Sequence, residues 1–266
     1  MTEGVRRITL LTDFGTTDGY VAAMRGVIAS LAPHTVVEDV SHDIAPGDVA
    51  AAAWALRNYW RLYPEGTVHV VVVDPGVGSE RRALAALSER VYLVGPDNGV
   101  LTHALADVPG ASIVSITNAA YMLHPVSQTF HGRDVFAPAA AHLATGGALE
   151  LLGPAVQDPL LLPIPRPERD GGGIRGTIVH IDRFGNLISN VPRRWVEAGF
   201  DVCIAGRRLG PVRTTYASAA AGELVAVIGS ADLLEIAIGN GSAARALGVG
   251  PGAEVTLVRQ AGDGPA

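Results

Sequence analysis

Three short segments place proton-handling residues where apolar runs end: "TDFGTTDGY" (residues 12–20), "VVVDPGVGSERR" (71–82) and "TFHGRDVF" (129–136). Together they supply Asp13, Asp18, Asp74, Arg81, Arg82, His131, Arg133 and Asp134. A carboxylate or an imidazole can take a proton from a nucleophile, and a guanidinium can hold a carboxylate ionised or steady a developing negative charge. Each residue also has a purely structural reading. Asp13 and Asp18 suit turn and N-cap positions, and Asp74 ahead of Pro75 suits the opening of a turn. Arg81 and Arg82 suit a solvated pair, His131 a cap or a packed ring, and Asp134 the first turn of a helix, where the macrodipole favours an acid.

Other chemistries fit the same letters less well. "DPGVGSERR" lacks the GxxxxGK[ST] spacing of a phosphate-cradling loop, and Pro75 removes one backbone donor. "TDFG" contains a kinase triplet, but the glycine-rich loop and catalytic-loop motif that must accompany it are missing. There is no HExxH and no cysteine cluster to hold zinc. A magnesium-dependent hydrolase built on Asp13, Asp74 and Asp97 remains open, because hard cations favour carboxylates.

The elements needed to position these residues are legible in the pattern of the first 160 or so residues. "RITLLTDFG" reads as a strand ending in polar residues. "DGYVAAMRGVIASLA" follows as a helix with Val21, Met24, Ile28 and Leu31 on one face, capped by Thr17 or Asp18. "TVVEDVS" reads as a strand, "GDVAAAAWALRNYW" as a helix, and "TVHVVVVD" as a strand so continuously apolar that both its faces must be covered. "RALAAL" and "RVYLVG" suggest a hairpin, "NGVLTHALA" a short helix, "ASIVSI" a strand and "GRDVFAPAAAHLATG" a helix. The sum is a layered, Rossmann-like α/β domain over residues 1–163. In open sheets of this type ligands bind outside the carboxyl ends of the strands, where all three polar segments fall.

The pattern then changes. "LLLPIPRPERDGGGIRG" combines prolines, charges and three consecutive glycines, which predicts a linker over 164–173. Beyond it, "GTIVHIDRFGNLISNV", "DVCIAG", "ELVAVIGS", "LLEIAIGNG" and "AEVTLVR" are strands separated by turns. They predict a small β-barrel over 174–262, and "QAGDGPA" reads as a loose tail.

Composition bounds the partners. Of the 266 residues, 48% are hydrophobic and 17% charged, which describes a globular chain rather than a disordered one. The net charge of -6 argues against nucleic-acid binding, which needs a basic face to displace counterions. No run approaches the 18 or so uninterrupted apolar residues of a membrane span. The single Cys203 has no internal partner for a disulfide, and the first residues show no long apolar stretch of a secretory signal, so a reducing cytoplasm is the expected compartment.

Taken together, "LLTDFGTTDGYVAAMRGVI", "VSHDIAPGDVAAAAWAL", "VHVVVVDPGVGSERRALA", "VGPDNGVLT", "TFHGRDVFAPAAAHLATG", "IDRFGNLISN", "GELVAVIGS" and "LLEIAIGNGSAARALG" occur in the order seen in the S-adenosylmethionine hydroxide adenosyltransferases, and the chain resembles that family from Ile8 to about Arg259. These are the hydrolytic relatives of the bacterial fluorinase and chlorinase. The resemblance implies an α/β domain followed by a β-barrel, and a homotrimer with each site between one subunit's α/β domain and a neighbour's barrel. It implies attack of water on the 5′ carbon of S-adenosylmethionine, giving adenosine and methionine, with Asp74, Arg81 and His131 as the catalytic set and no cofactor. Asp13 matches a ribose-binding aspartate, and Asp18 joins the substrate-binding set. Asp182 matches a contact to the methionine amino group, Asn186 a contact to the adenine edge, Phe184 and Tyr216 the aromatic flanks of the adenine, and Ser230 a residue near the methionine carboxylate. The fluorinase has an arginine after that serine where this chain has Ala231, which leaves the carboxylate without an assigned partner. The fluorinase also carries tyrosine and threonine where this chain has Asp74 and Val77, and a halide-contacting serine where it has Gly132. A carboxylate beside the nucleophile repels a halide, so water is the better match. Two other readings remain, a non-catalytic adenosine- or S-adenosylmethionine-binding protein and a halide-dependent synthase of 5′-halo nucleosides.

Overall fold

The computed structural model describes residues 6–108 and 110–260. The expected tail from Ala261 onward lies outside the described residues. The chain divides into two units between Leu162 and Pro163.

In the first unit, Arg7–Thr12 (β1) leads into helix Tyr20–Leu31 (α1), and Val36–Ser41 (β2) into helix Val49–Arg57 (α2). Val68–Val72 (β3) is followed by the hairpin Ala83–Ser88 (β4) and Val91–Pro96 (β5), then helix Thr102–Ala106 (α3), Ser112–Ser115 (β6) and helix Ala137–Ala144 (α4). The six strands form one sheet in the order β2-β1-β3-β5-β4-β6, with β2, β1, β3 and β5 parallel and β4 antiparallel to both its neighbours. The sheet is therefore mixed, because the β4–β5 hairpin reverses the chain after the crossovers that build its parallel part.

Side chains alternate across this sheet and feed two cores. Ile8, Leu10, Val68, Val70 and Val72 pack with Met24 and Ile28 of α1 and Ala139, Ala140 and Leu143 of α4. Leu11, Val71, Val73 and Leu93 face the other way, against Ala52 and Leu56 of α2 and Ala104 and Leu105 of α3. Every residue of β3 is buried, as its unbroken apolar run requires. Asp48 caps α2 by accepting from the Ala51 N–H at 2.9 Å. Helix α1 departs from expectation at both ends. Its N-cap is Gly19 in the left-handed region (φ 74°) with no side-chain cap, so neither Thr17 nor Asp18 caps it, and Leu31 is half-exposed rather than in the core.

The second unit is a nearly closed antiparallel barrel. Glu168–Asp170 (β7), Gly173–Ile181 (β8), Leu187–Pro192 (β9), Phe200–Ile204 (β10), Arg207–Gly210 (β11), Leu224–Ile228 (β12), Leu233–Ile238 (β13) and Glu254–Arg259 (β14) are its strands, with a short α-helix at Ala243–Leu247 (α5) and 3-10 turns at Arg193–Trp195 and Tyr216–Ser218. Seven of the strands run in the order β11-β10-β14-β8-β9-β13-β12, and β7 pairs with β8. The segment expected as a linker thus contains a strand, with Glu168 opposite Arg175. Ile178, Leu187, Val191, Val202, Leu234, Ile236, Val255 and Leu257 fill the barrel interior.

Candidate active site

The end of β3 explains the acid and the arginine at its turn. Val73 is fully buried, and the chain leaves the sheet at Asp74. A tight turn follows, closed by Val77 N–H to Asp74 O at 3.2 Å and Ser79 N–H to Gly76 O at 3.1 Å. This turn brings Arg81 back over Asp74. Arg81 Nε donates to both carboxylate oxygens at 3.0 Å, and Nη2 donates to Oδ2 as well. The two side chains are 10% and 4% exposed, so the pair is sheltered from solvent. The Arg81 guanidinium also lies over the Phe136 ring, 5.5 Å from its centroid.

Glycine at position 78 lets a second loop join this turn. Gly78 has φ +77°, and a Cβ there would lie 2.3 Å from the Gln128 carbonyl oxygen. Only a residue without a side chain permits the approach. The 127–131 loop that packs against it is fastened from behind by Asp134, which is buried, accepts from the Ser127 N–H at 2.8 Å and takes two hydrogen bonds from Arg133 at 2.6 and 2.9 Å. Burial alone would raise the Asp134 carboxyl, but Arg133 and the Ser127 N–H outweigh it and hold it below the usual carboxylate range. Asp134 thus fastens the loop and also lies in the first turn of the helical segment that begins at Gly132. The chain enters α4 through a wide π-type turn over Gly132–Phe136 that carries His131 at its mouth.

His131 Nδ1 lies 2.7 Å from Arg81 Nη2. A guanidinium only donates, so Nδ1 must be the acceptor, which makes the imidazole neutral with its proton on Nε2. Burial and the Arg81 charge lower the His131 pKa, against the opposing pull of Asp74 and Asp134. Electrostatics and hydrogen bonding therefore agree on the neutral form.

Asp74 and His131 open into a cavity of about 320 Å³, lined also by Asp13, Phe14, Tyr20, Val72, Val77, Thr129, Phe130 and Gly132. Asp13 leaves β1 and accepts from the Gly47 N–H through Oδ2 at 2.8 Å. Asp18 is exposed and is not among the lining residues, so the structure does not bring it to Asp74. Arg82 and Asp97 serve the fold. Arg82 Nε donates to Asp97 at 2.7 Å while its other nitrogens hold the Asp158 side chain and carbonyl, and Asp97 accepts from the Leu160 N–H at 2.7 Å. Asp13, Asp74 and Asp97 each accept from a different partner, Gly47, Arg81 and Arg82, and among the described residues no group of three or more His, Cys, Asp or Glu side chains is placed to hold a metal ion.

The barrel unit has its own polar cluster. Asp182 Oδ1 accepts from the backbone N–H groups of Phe184 at 2.9 Å and Asn186 at 2.8 Å, and Oδ2 accepts from Asn186 Nδ2 at 2.8 Å. This locks the turn that presents Phe184, which is 76% exposed. Tyr216 is half-exposed, so neither ring belongs to the barrel core. Tyr216 donates to Glu235 at 2.7 Å. Glu235 is buried on β13, and burial together with the nearby Asp182 raises its carboxyl above the usual range, against the Tyr216 bond. Ser230 sits in the tight turn closed by Gly229 N–H to Leu233 O at 2.9 Å. Sequence reading passed over Phe14, Tyr20, Thr129, Phe130 and Glu235. The available signal for Glu235 was an acid inside the apolar run "LLEIAI".

The fold and the site define an α/β unit followed by an antiparallel barrel, with its acid–base residues on loops at the carboxyl ends of the strands. The profile described as "SAM hydroxide adenosyltransferase N-terminal domain" matches residues 8–153, and the corresponding C-terminal domain matches residues 176–256. A Thermus thermophilus protein named (R)-S-adenosyl-L-methionine hydrolase is 44% identical over 96% of this chain and 100% of its own length. One of the same name from Salinispora tropica is 42% identical over 92% and 95%. A crystal structure of a conserved protein from Thermotoga maritima superimposes with a TM-score of 0.87 at 33% identity, covering 95% of this chain and all of that one. Fluorinases are more distant, at 29% identity for the one from Actinoplanes. This chain belongs to the SAM hydroxide adenosyltransferase family.

Proposed function

We propose that this protein hydrolyses S-adenosyl-L-methionine to adenosine and L-methionine. The observation that carries the reading is the continuous chain of contacts Asp74–Arg81–His131, whose two end members line the cavity. The oxygen of water attacks the 5′ carbon, the carbon–sulfur bond breaks, and its electron pair leaves with sulfur as a neutral thioether. No acid is needed for the leaving group, so the residues act on the nucleophile. His131 carries its proton on Nε2 and is a donor there, while Asp74 retains acceptor capacity beyond the Arg81 fork. Asp74 is therefore the proton acceptor, Arg81 orients it, and His131 holds the water. In-line positioning is the larger contribution, since alignment alone is worth up to about 7 to 11 kcal/mol in the best cases.

Asp13 binds the ribose hydroxyls, for which a carboxylate can accept two bonds. From the barrel, Asp182 meets the amino group, Asn186 the adenine edge, Ser230 the carboxylate, and Phe184 and Tyr216 stack on the base, at roughly 1 to 3 kcal/mol. The assembly is a homotrimer in which a neighbouring copy's barrel completes each cavity, and the protein works without a cofactor or metal in a reducing cytoplasm, a compartment that suits the free Cys203. The family resemblance supports this assembly, and sedimentation of the intact protein tests it.

Turnover in heavy-oxygen water should place the label in adenosine. Adenosine free of label would refute direct attack by water. Both sulfonium epimers belong in the assay, because the relatives' names specify the (R) form. Binding without adenosine after hours would favour the non-catalytic alternative. Halide use is disfavoured at Gly132, where a Cβ would crowd Met24, Phe130 and Phe14, each at 3.2 Å.

A further inference from the structure

The loops that deliver the acid–base residues also deliver aromatic rings. Phe14 follows Asp13, Phe130 precedes His131, and Tyr20 opens α1; all three line the cavity. Their centroids are close, at 5.7 Å for Phe14–Phe130, 5.1 Å for Tyr20–Phe130 and 5.9 Å for Phe14–Tyr20. The interplanar angles are 76°, 81° and 56° respectively, so the rings are tilted against one another rather than stacked in a block. Tyr20 is 48% exposed, which a ring serving only the core would not be. Phe130 already carries one cation, the Arg133 guanidinium, 5.1 Å from its centroid.

We infer that Phe14, Tyr20 and Phe130 form a cation-selecting wall that recognises the sulfonium of the substrate and discriminates it from the neutral thioether. The inference rests on the hydrolase reading and extends it. In-line attack puts the departing sulfur on the far side of the 5′ carbon from the water held by Asp74 and His131, and Phe14, Tyr20 and Phe130 are the aromatic part of the lining open to it, beside Asp13, Val72, Val77, Thr129 and Gly132. A sulfonium has no N–H or O–H to donate, so hydrogen-bond acceptors do not recognise it well. The negative face of an aromatic ring does, without directional demands. The attraction fades as the carbon–sulfur bond breaks and the positive charge disappears. It therefore holds the bound substrate more than the transition state and adds affinity rather than rate, and it is lost on reaching the neutral product, which favours release.

The test uses two ligands that cannot react by displacement of a sulfonium. One is an analogue in which a carbon bearing an ammonium replaces the methylsulfonium, and the other is the neutral thioether lacking the methyl group. Calorimetry on the full-length protein should show that Tyr20→Leu weakens the cationic ligand about tenfold and the thioether by less than about twofold, with Tyr20→Phe close to the parent. In steady state, Tyr20→Leu should raise KM without lowering kcat. Equal losses for both ligands, or no loss for either, would overturn the wall as a charge-selecting device. Phe130→Leu provides a second reading should the first variant fold poorly. Adenosine formation by the parent protein is scored separately, so that selectivity without turnover counts against the hydrolase reading and turnover without selectivity counts against the wall.

Discussion

Arg81 Nη2 donates to His131 Nδ1 at 2.7 Å across fifty residues of sequence, and the same guanidinium grips Asp74. One arginine thus sets both the orientation of the carboxylate and the tautomer of the imidazole. Neither partner could impose the other's geometry, because their loops leave the sheet at different strands.

Protonation of His131 would remove the lone pair that accepts from Arg81. Burial and the Arg81 charge keep the imidazole neutral below its ordinary pKa of about 6.5. Activity should therefore persist as pH falls through 6.5 and decline only at more acidic pH. Replacing Arg81 by Leu removes a nearby positive charge, so the His131 titration followed by NMR should move upward. In the same variant kcat/KM should fall by roughly 10² to 10⁴, the range for a disrupted acid–base device. An unchanged His131 titration would show that the arginine does not govern the ring.

Gly78 makes the approach of the two loops possible, and its replacement has a definite cost. Ala at φ +77° adds about 1 to 2 kcal/mol of backbone strain, and its Cβ would also collide with the Gln128 carbonyl. Gly78→Ala should lower stability in urea by at least that amount and depress kcat more than KM, since the collision separates Arg81 from His131. Retention of parental kcat would mean that the loop contact is not needed for alignment.

Asp74, Arg81 and His131 were legible in the sequence as candidates, a carboxylate directly after a fully apolar strand, an arginine beyond a glycine-rich turn and a histidine before a helix, and the family resemblance singled them out as a set. The aromatic rings were not legible, since Phe14 and Phe130 sit in loop segments with no period and only their neighbours place them at a cavity. The π-type turn leaves no trace in periodicity either, and the hydrogen bond from Ser127 to Asp134 within it joins residues with no pattern of their own. The cap of α1 was misread because Thr17 and Asp18 are good capping residues, while Gly19 takes the left-handed conformation at that point and needs no side chain. The short strands Glu168–Asp170 and Arg207–Gly210 are too polar to show alternation.

Gly132→Ser restores the residue type that the fluorinase carries, yet halide use should not follow. The new Cβ would lie only 3.2 Å from atoms of Met24, Phe14 and Phe130, and Asp74 would still repel an anion. The expected result is weaker S-adenosylmethionine turnover, on the order of tenfold, with no 5′-halo nucleoside detectable by mass spectrometry in concentrated chloride. Formation of the chloro nucleoside would show that the site selects its nucleophile at this one position.

His69 offers a test of the fold that is independent of catalysis. It lies fully buried on β3, with Nδ1 2.8 Å from the Thr9 hydroxyl and its ring beside Tyr59 and Tyr63 at 5.4 and 5.3 Å. Burial pushes its pKa down to about 4 in the folded chain, against about 6.5 when unfolded. Between those values the unfolded chain binds the proton and the folded one does not, so stability is fully present above pH 6.5 and is lost as pH falls toward 4. The loss amounts to about 3 kcal/mol if the whole shift is realised. His103 and His131 are shifted in the same direction and add to the slope. Urea unfolding at pH 7 and pH 4.5 should therefore show a smaller difference for His69→Gln than for the parent, because glutamine cannot take up the proton. Identical differences in the two proteins would mean that His69 is reached by solvent and titrates normally in the folded state.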